Sequence, residues 1–263
     1  MAATKQRDNN DLQGKVALVT GGTRGVGRAT ALRLAARGCA VAVNYSRSVA
    51  AGDELVAQIE AGGGRALAVK ADVSDDKQVR SFVDQTVAAF DRLDYLVNNA
   101  GTTLFCDHRN LDGWSAEDFH RIMAVNALGP FQCARAAAPL LAAGDGGAIV
   151  NVGSIAGLRG MGSSIPYCMS KAALHNLTIS LARALAPKVR VNGVAPGFIA
   201  GEWLQDGLGA AYATAKRNAE GRAALGKVCE PEDVADSIIA LLTHNALVTG
   251  QVIPVEGGFF LAT

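Results

Sequence analysis

The sequence predicts a doubly wound α/β fold, a sheet of about seven parallel strands with helices on both faces, and two observations predict it. From Lys15 onward, short aliphatic runs alternate with longer stretches whose apolar residues recur at helical spacing. Each run is apolar almost throughout, as a strand covered on both sides must be, where a half-exposed strand would alternate. Parallel strands joined through helices cross over right-handed in nearly every case, so this order gives three layers, α/β/α.

The first run is Val16 to Val19, followed by Ala40 to Val43, Ala66 to Val69, Tyr95 to Val97, Ala148 to Val152, Val189 to Val194 and Gln251 to Val255. Between them the helical spacing places helices near 26–37, 49–61, 76–90, 117–142, 166–186 and 231–243. No repeat of fixed length and no interdomain linker interrupts the pattern, so residues 14–263 read as one domain, of a size that needs neither disulfides nor a structural metal. The polar opening MAATKQRDNNDLQ, residues 1–13, reads as a disordered tail. The least regular stretch, Ala200 to Lys227, is polar and rich in Gly and Ala, with isolated Trp203, Leu204 and Tyr212. It is longer than an ordinary connection, and we expect a lid over a substrate there.

Composition excludes several function classes. Lys plus Arg is 25 and Asp plus Glu 24, a net charge of +1, so no field draws in a polyanion and nucleic acid is not an expected partner. The 30 glycines are neither periodic nor gathered in tracts, which excludes collagen-like and disordered readings. The cysteines, Cys39, Cys106, Cys133, Cys168 and Cys229, form no C-x-x-C pair and no metal-ligand spacing with the four histidines. They read as small buried residues in a reducing cytoplasm, with no metal site. His108, His120, His175 and His244 are expected to be neither ligands nor bases. The opening residues hold no apolar signal segment, and the sequence has no uncharged apolar run long enough to span a bilayer, so no membrane association is expected and the protein reads as cytoplasmic.

The first strand runs directly into Thr20-Gly21-Gly22-Thr23-Arg24-Gly25-Val26-Gly27 and then into a helical segment. A strand, a glycine turn and a helix start together form a cradle in which backbone N–H groups and the helix dipole hold a pyrophosphate. No Gly-Lys-Ser/Thr follows, which excludes a phosphate loop of the nucleoside-triphosphatase kind. The spacing is G-x-x-x-G-x-G, and taken alone it fits either a dinucleotide site or a plain tight turn. Where the second strand ends, an acid would bind the ribose 2′-hydroxyl of NAD. This chain has Asn44-Tyr45-Ser46-Arg47 instead. Arg24 and Arg47 are then either a two-armed clamp for a 2′-phosphate, which favours NADP(H) over NAD(H), or solvated surface charges.

Ser154 closes the fifth strand, Tyr167 follows thirteen residues later, and Lys171 stands one helical turn beyond. Positions i and i+4 share a helix face, so Tyr167 and Lys171 can point together into the crevice at the carboxyl ends of the strands. A phenol there can donate a proton to a carbonyl oxygen as hydride arrives, or take one in reverse. Its ordinary pKa near 10 would have to fall by about three units, roughly 4 kcal/mol, for easy exchange at neutral pH, and the adjacent ammonium is expected to supply that. Ser154 would donate a hydrogen bond to the developing alkoxide. A lone Y-x-x-x-K is common on helix surfaces, but here it stands in order with the glycine turn, Asn98-Asn99-Ala100-Gly101, Asn126 and Ser154.

That combination resembles the short-chain dehydrogenase/reductase family in its compact, single-domain Rossmann form, and the resemblance covers positions 14 to 258. It rests on Thr20 to Gly27, Ala71-Asp72-Val73, Asn98 to Gly101, Asn126, Ser154, Tyr167-Cys168-Met169-Ser170-Lys171, Asn192 and Pro196-Gly197. The resemblance implies a Ser154-Tyr167-Lys171 centre with Asn126 holding a water in a proton relay. It implies a nicotinamide coenzyme held by Gly21, Thr23, Arg24, Gly25, Val26 and Gly27, by Asn44, Tyr45, Ser46 and Arg47, and by Asp72 and Val73 at the adenine. Asn99, Ala100 and Gly101 would line the ribose region, Pro196, Gly197 and Ile199 the carboxamide, and Tyr167 and Lys171 the nicotinamide ribose. Many relatives carry a Thr shortly after the Pro-Gly, and Phe198-Ile199-Ala200-Gly201-Glu202 offers none. The two long helices, 117–142 and 166–186, are either plain core or, as the family implies, a dimer face within a homotetramer.

The substrate is expected to be a small ketone or secondary alcohol, met by Ser154, Tyr167 and Trp203. Members similar to this chain reduce 3-oxoacyl groups carried on an acyl-carrier protein, and a carbonyl reductase of that kind is the first expectation. A sugar or alcohol dehydrogenase working oxidatively is the alternative, and a coenzyme-binding sensor without turnover a third. Ala142-Ala143-Gly144-Asp145-Gly146-Gly147 lacks the basic residues that would greet an acidic carrier, leaving Lys188 and Arg190 as its contacts.

Overall fold

The computed structural model describes residues 11–144 and 146–261. Seven parallel strands pair in the order β3-β2-β1-β4-β5-β6-β7. They are β1 (Val16–Val19), β2 (Ala40–Tyr45), β3 (Ala66–Lys70), β4 (Tyr95–Asn98), β5 (Gly147–Val152), β6 (Val189–Pro196) and β7 (Val252–Val255). Successive side chains of a strand point to opposite faces, and β1 shows the result. Ala17 and Val19 enter one core with Leu55, Ile59, Val234 and Ile238. Val16 and Leu18 enter the other with Phe82, Cys133, Ala137 and Leu141. The first core is covered by α1 (Gly25–Ala35), α2 (Val49–Ala61) and α10 (Pro231–Thr243), the second by α3 (Asp76–Phe90), α5 (Gly129–Ala143) and α7 (Ile165–Leu185), and a short α6 (Ala156–Arg159) follows β5. Strand order reverses between β1 and β4, and the crevice outside their carboxyl ends is where an open α/β sheet takes its ligand.

Three expectations change. The single helix expected over 117–142 is two, α4 (Ala116–Met123) and α5, joined by a π-helical turn, Ala124–Leu128. Pro130 lacks the N–H that would bond the Asn126 carbonyl, and the Gly129 N–H reaches back five residues to Ala124 O, so the helix widens there. The stretch expected to be an irregular lid folds into α8 (Glu202–Leu208) and α9 (Tyr212–Arg222), with no buried residue in either. Of the tail expected over 1–13, residues 1–10 lie outside the described residues, while Asp11 to Gln13 are bound down. Leu12 is buried in the core, its N–H donates to Arg37 O, and Asp11 pairs with the Arg37 guanidinium. An apolar side chain with a core slot to fill outweighs its polar surroundings.

Among the described residues, no helix is long and apolar enough to cross a membrane.

Candidate active site

The glycine turn is shaped by contacts that leave no room for side chains. A Cβ on Gly27 would stand 2.4 Å from Gly21 O and 2.5 Å from Asn99 Nδ2, and one on Gly22 would strike Val43. Gly21 and Gly25 have φ of 61° and 51°, the left-handed region that favours glycine. Beyond the turn, α1 begins at Arg24 without any side-chain cap, so its first N–H groups are left for a ligand. Thr23 is half-buried and Arg24 exposed, while Val26 turns its side chain into the core. This cradle fits the pyrophosphate of a dinucleotide.

Several residues expected to touch the coenzyme also brace the cradle. Asn44 is buried, accepting from Gly21 N at 2.8 Å and donating to Ala71 O at 2.7 Å. Its side chain is therefore spent, and its task is to hold β2 and the end of β3 to the turn. The Tyr45 ring lies on α2, where a Cβ on Gly52 would meet it at 2.8 Å. Asn99 Nδ2 donates to Thr20 O and Gly21 O, and the N–H groups of Asn99 and Ala100 both donate to Thr20 Oγ1. The Asp72 carboxylate closes its own turn by accepting from Ser74, and Val73 is buried against Gly129. Ser46 and Arg47 are exposed at the end of β2, on the same rim as Arg24. At the other side of the crevice Pro196 O accepts from Ile155 N, Gly197 N donates to Val255 O, and Ile199 bridges to Cys229.

The chemical residues converge on Gly101. A Cβ placed there would stand 3.5 Å from Trp203 Cη2, 3.6 Å from Asn126 Oδ1 and 3.7 Å from Lys171 Nζ. Ser164 caps α7 by accepting from Tyr167 N, which sets the helix that carries Tyr167 and Lys171. The Ser154 hydroxyl lies beside the Tyr167 phenol and accepts from Ala156 N at 3.1 Å. Lys171 Nζ donates to Val152 O at 2.8 Å and lies 5.7 Å from the centre of the Tyr167 ring. Asn126, wholly buried, bonds both backbone groups of Thr102 and donates to Ser170 Oγ, which in turn donates to Tyr167 O. The widened turn of the α4–α5 helix and the helix of the phenol are thus tied through two side chains.

The electrostatics differ from the expected pattern. Burial pushes the Tyr167 phenol up to about 12, with the nearby Ser154 hydroxyl pulling the other way. Burial also lowers the Lys171 ammonium to about 8. The expected lowering of the phenol does not arise, because desolvation outweighs the help of the ammonium, whose Nζ donates to a strand carbonyl. Two residues not singled out for the chemistry also belong to this neighbourhood. Ser170 lay inside the quoted Tyr-to-Lys stretch without a role, and His175, set aside with the other histidines, is buried beside Ser154. The i+4 spacing of Tyr167, Lys171 and His175 was the available signal for the latter. Arg190, kept as a contact for a carrier protein, spends its guanidinium on the carbonyls of Leu241, Leu242 and Asn245 at the end of α10.

The fold and this site define a nicotinamide-dependent oxidoreductase of the doubly wound class. The family model described as "Enoyl-(Acyl carrier protein) reductase" matches residues 21–260. The chain is 39% identical over 256 residues to the 3-oxoacyl-[acyl-carrier-protein] reductase of Synechocystis sp., covering 95% of this chain and 98% of that one. It is 39% identical over 253 residues to the L-rhamnose 1-dehydrogenase (NAD(P)(+)) of Sphingomonas sp., with 95% and 98% covered. A blue fluorescent protein from a metagenomic library, solved in complex with NADPH, has a TM-score of 0.85 and 35% identity, over 94% of this chain and 98% of that one. The chain belongs to the short-chain dehydrogenase/reductase family, whose members act on CH–OH and C=O groups with a nicotinamide coenzyme.

Proposed function

We propose that this protein is an NADP(H)-dependent carbonyl reductase acting on a small ketone of the 3-oxoacyl kind, with Tyr167 as the proton donor. The likeness to 3-oxoacyl reductases supports this direction, and the meeting of Asn126, Lys171 and Trp203 at Gly101 carries the chemistry. The phenol, pushed up to about 12 by burial, is protonated at neutral pH, the form that gives a proton to the carbonyl oxygen as hydride reaches the carbon. Oxidation of a sugar or alcohol would run the same proton transfer in reverse, with the phenolate as base. Bound nicotinamide supplies the hydride. Ser154 Oγ then holds the substrate oxygen beside the phenol, and Lys171 keeps a positive charge under the coenzyme ribose and at the end of β5. The Asn126 side chain is spent on Thr102 and Ser170, so its share in a proton relay falls to its carbonyl, to which Pro130 offers no N–H. Trp203, with its ring tip beside Gly101, forms the apolar cover of the substrate.

The coenzyme preference rests on the β2 rim. No carboxylate stands there, and among the described residues neither Arg24 nor Arg47 forms an ion pair, which leaves both guanidinium groups for a 2′-phosphate. We expect at least a tenfold higher kcat/KM with NADPH than with NADH, reduced about tenfold in Arg47→Ala. The test follows NADPH absorbance against 3-oxoacyl thioesters, cyclic ketones, quinones and sugars. A preference for NADH, or turnover confined to sugar oxidation, counts against this reading.

We also propose a homotetramer. Leu128 and Phe131 near the start of α5, and Met169 and Ile179 on α7, are exposed large apolar side chains on the two helices that would pair with a second copy. Five free cysteines fit a reducing compartment, and we place the protein in the cytoplasm.

A further inference from the structure

A buried titratable group lies against the catalytic turn and takes no part in the chemistry above. His175 follows Tyr167 and Lys171 at the next i+4 step of α7, so all three share one helix face. It is 8% exposed and fills a slot walled by two glycines. A Cβ on Gly153 would stand 2.2 Å from its Nε2, and one on Gly157 2.9 Å from its Cε1. Neither position takes a side chain while the ring is in place.

The chain leaves β5 through Gly153, Ser154 and Ile155. Gly153 N donates to Val194 O at 2.8 Å and Ile155 N to Pro196 O at 3.0 Å, both toward β6. The Ser154 N–H between them turns the other way, toward α7, where it meets His175 Nε2 at 3.4 Å. A nitrogen that accepts there is unprotonated, so the ring proton sits on Nδ1. That atom is buried without a partner among the described residues. Burial, with the Lys171 ammonium adding to it, lowers the imidazole to about 4 and keeps the accepting form at neutral pH.

We infer that His175 is a positioning residue, whose imidazole holds the Ser154 backbone through its N–H and so keeps Ser154 Oγ aimed at the Tyr167 phenol. The inference rests on the reading of Tyr167 as proton donor and adds a residue that touches neither substrate nor coenzyme. Without this acceptor a buried N–H is left unmatched at the one point of the turn that β6 does not fix, and the turn must shift to satisfy it. Lys171 is tied to Val152 O two residues before Ser154, so the shift begins beside the ammonium as well.

Two measurements test it. In the full chain labelled with nitrogen-15 histidine at neutral pH, with His175→Gln identifying the signal, the ring should be neutral with its proton on Nδ1. A proton on Nε2 overturns the inference whatever the activity. In steady-state kinetics, His175→Leu should lower kcat about tenfold while substrate KM and NADPH affinity stay within about twofold. His175→Gln, whose amide oxygen reaches the place of Nε2, should recover most of the loss. Equal kcat in the unaltered protein and His175→Leu, or equal losses in Leu and Gln variants, overturns it. Failure of the underlying reading looks different, as retained turnover in Tyr167→Phe. If His175→Leu does not fold, the tautomer measurement decides.

Discussion

The proposed acid is the Tyr167 phenol, which stands on the first turn of α7, one turn before Lys171. Burial pushes the Tyr167 phenol up, so it is protonated at neutral pH, and in the proposed reduction it is the group that gives a proton. Tyr167→Phe should therefore lower kcat at least a hundredfold and leave NADPH affinity, read by fluorescence titration, within about threefold. Turnover close to that of the unaltered protein would remove Tyr167 from the role. His175 makes a second prediction at this scale. Its imidazole is lowered to about 4 from an ordinary 6.5, so the fold prefers the neutral ring. The stability gained is complete above pH 6.5 and is lost as pH falls from 6.5 toward 4, on the order of 2 kcal/mol. Urea midpoints should fall more steeply over that range in the unaltered protein than in His175→Gln. Parallel curves would show that the imidazole is not held neutral.

At the scale of elements, coenzyme binding depends on how closely β1, β4 and α1 meet. Gly27 sits where the first turn of α1 passes Gly21 O and Asn99 Nδ2, and a methyl group there meets backbone on one side and an anchored amide on the other. Neither can swing aside cheaply. Gly27→Ala should cost about 1–3 kcal/mol of stability, seen in thermal melts, and at least tenfold in NADPH affinity, with kcat at saturating coenzyme largely kept. Unchanged affinity would mean the turn does not carry the pyrophosphate. The π-helical turn makes the same point for catalysis. Pro130 breaks the bonding ladder at Asn126, and Asn126 uses its side chain to lock the 102 loop and α7 together.

At the scale of the whole molecule, the sheet brings residues distant in sequence to one crevice, and large apolar side chains stay exposed on α5 and α7. Phe131 and Ile179 are 39% and 41% exposed, unusual for large side chains on two such well-packed helices. Sizing chromatography should give about four times the single-chain mass, and Phe131→Glu should shift it to smaller species without unfolding the protein. An unaltered protein that elutes as one chain would end the tetramer proposal.

The alternation of aliphatic runs and helical stretches determined the fold class and most strand boundaries, because a strand covered on both faces must be apolar along its length, a property visible in sequence. The order of the glycine turn, Asn126, Ser154, Tyr167 and Lys171 determined the chemical class. Only the tertiary structure decided that Asn44 and Asn99 brace the turn, that Leu12 is pinned, that the long helix widens at Asn126, and that His175 faces Ser154. It also reversed the expected direction of the phenol's shift. Those outcomes depend on which atoms close in space compete for a donor, an acceptor or water, and residue spacing carries no record of that competition.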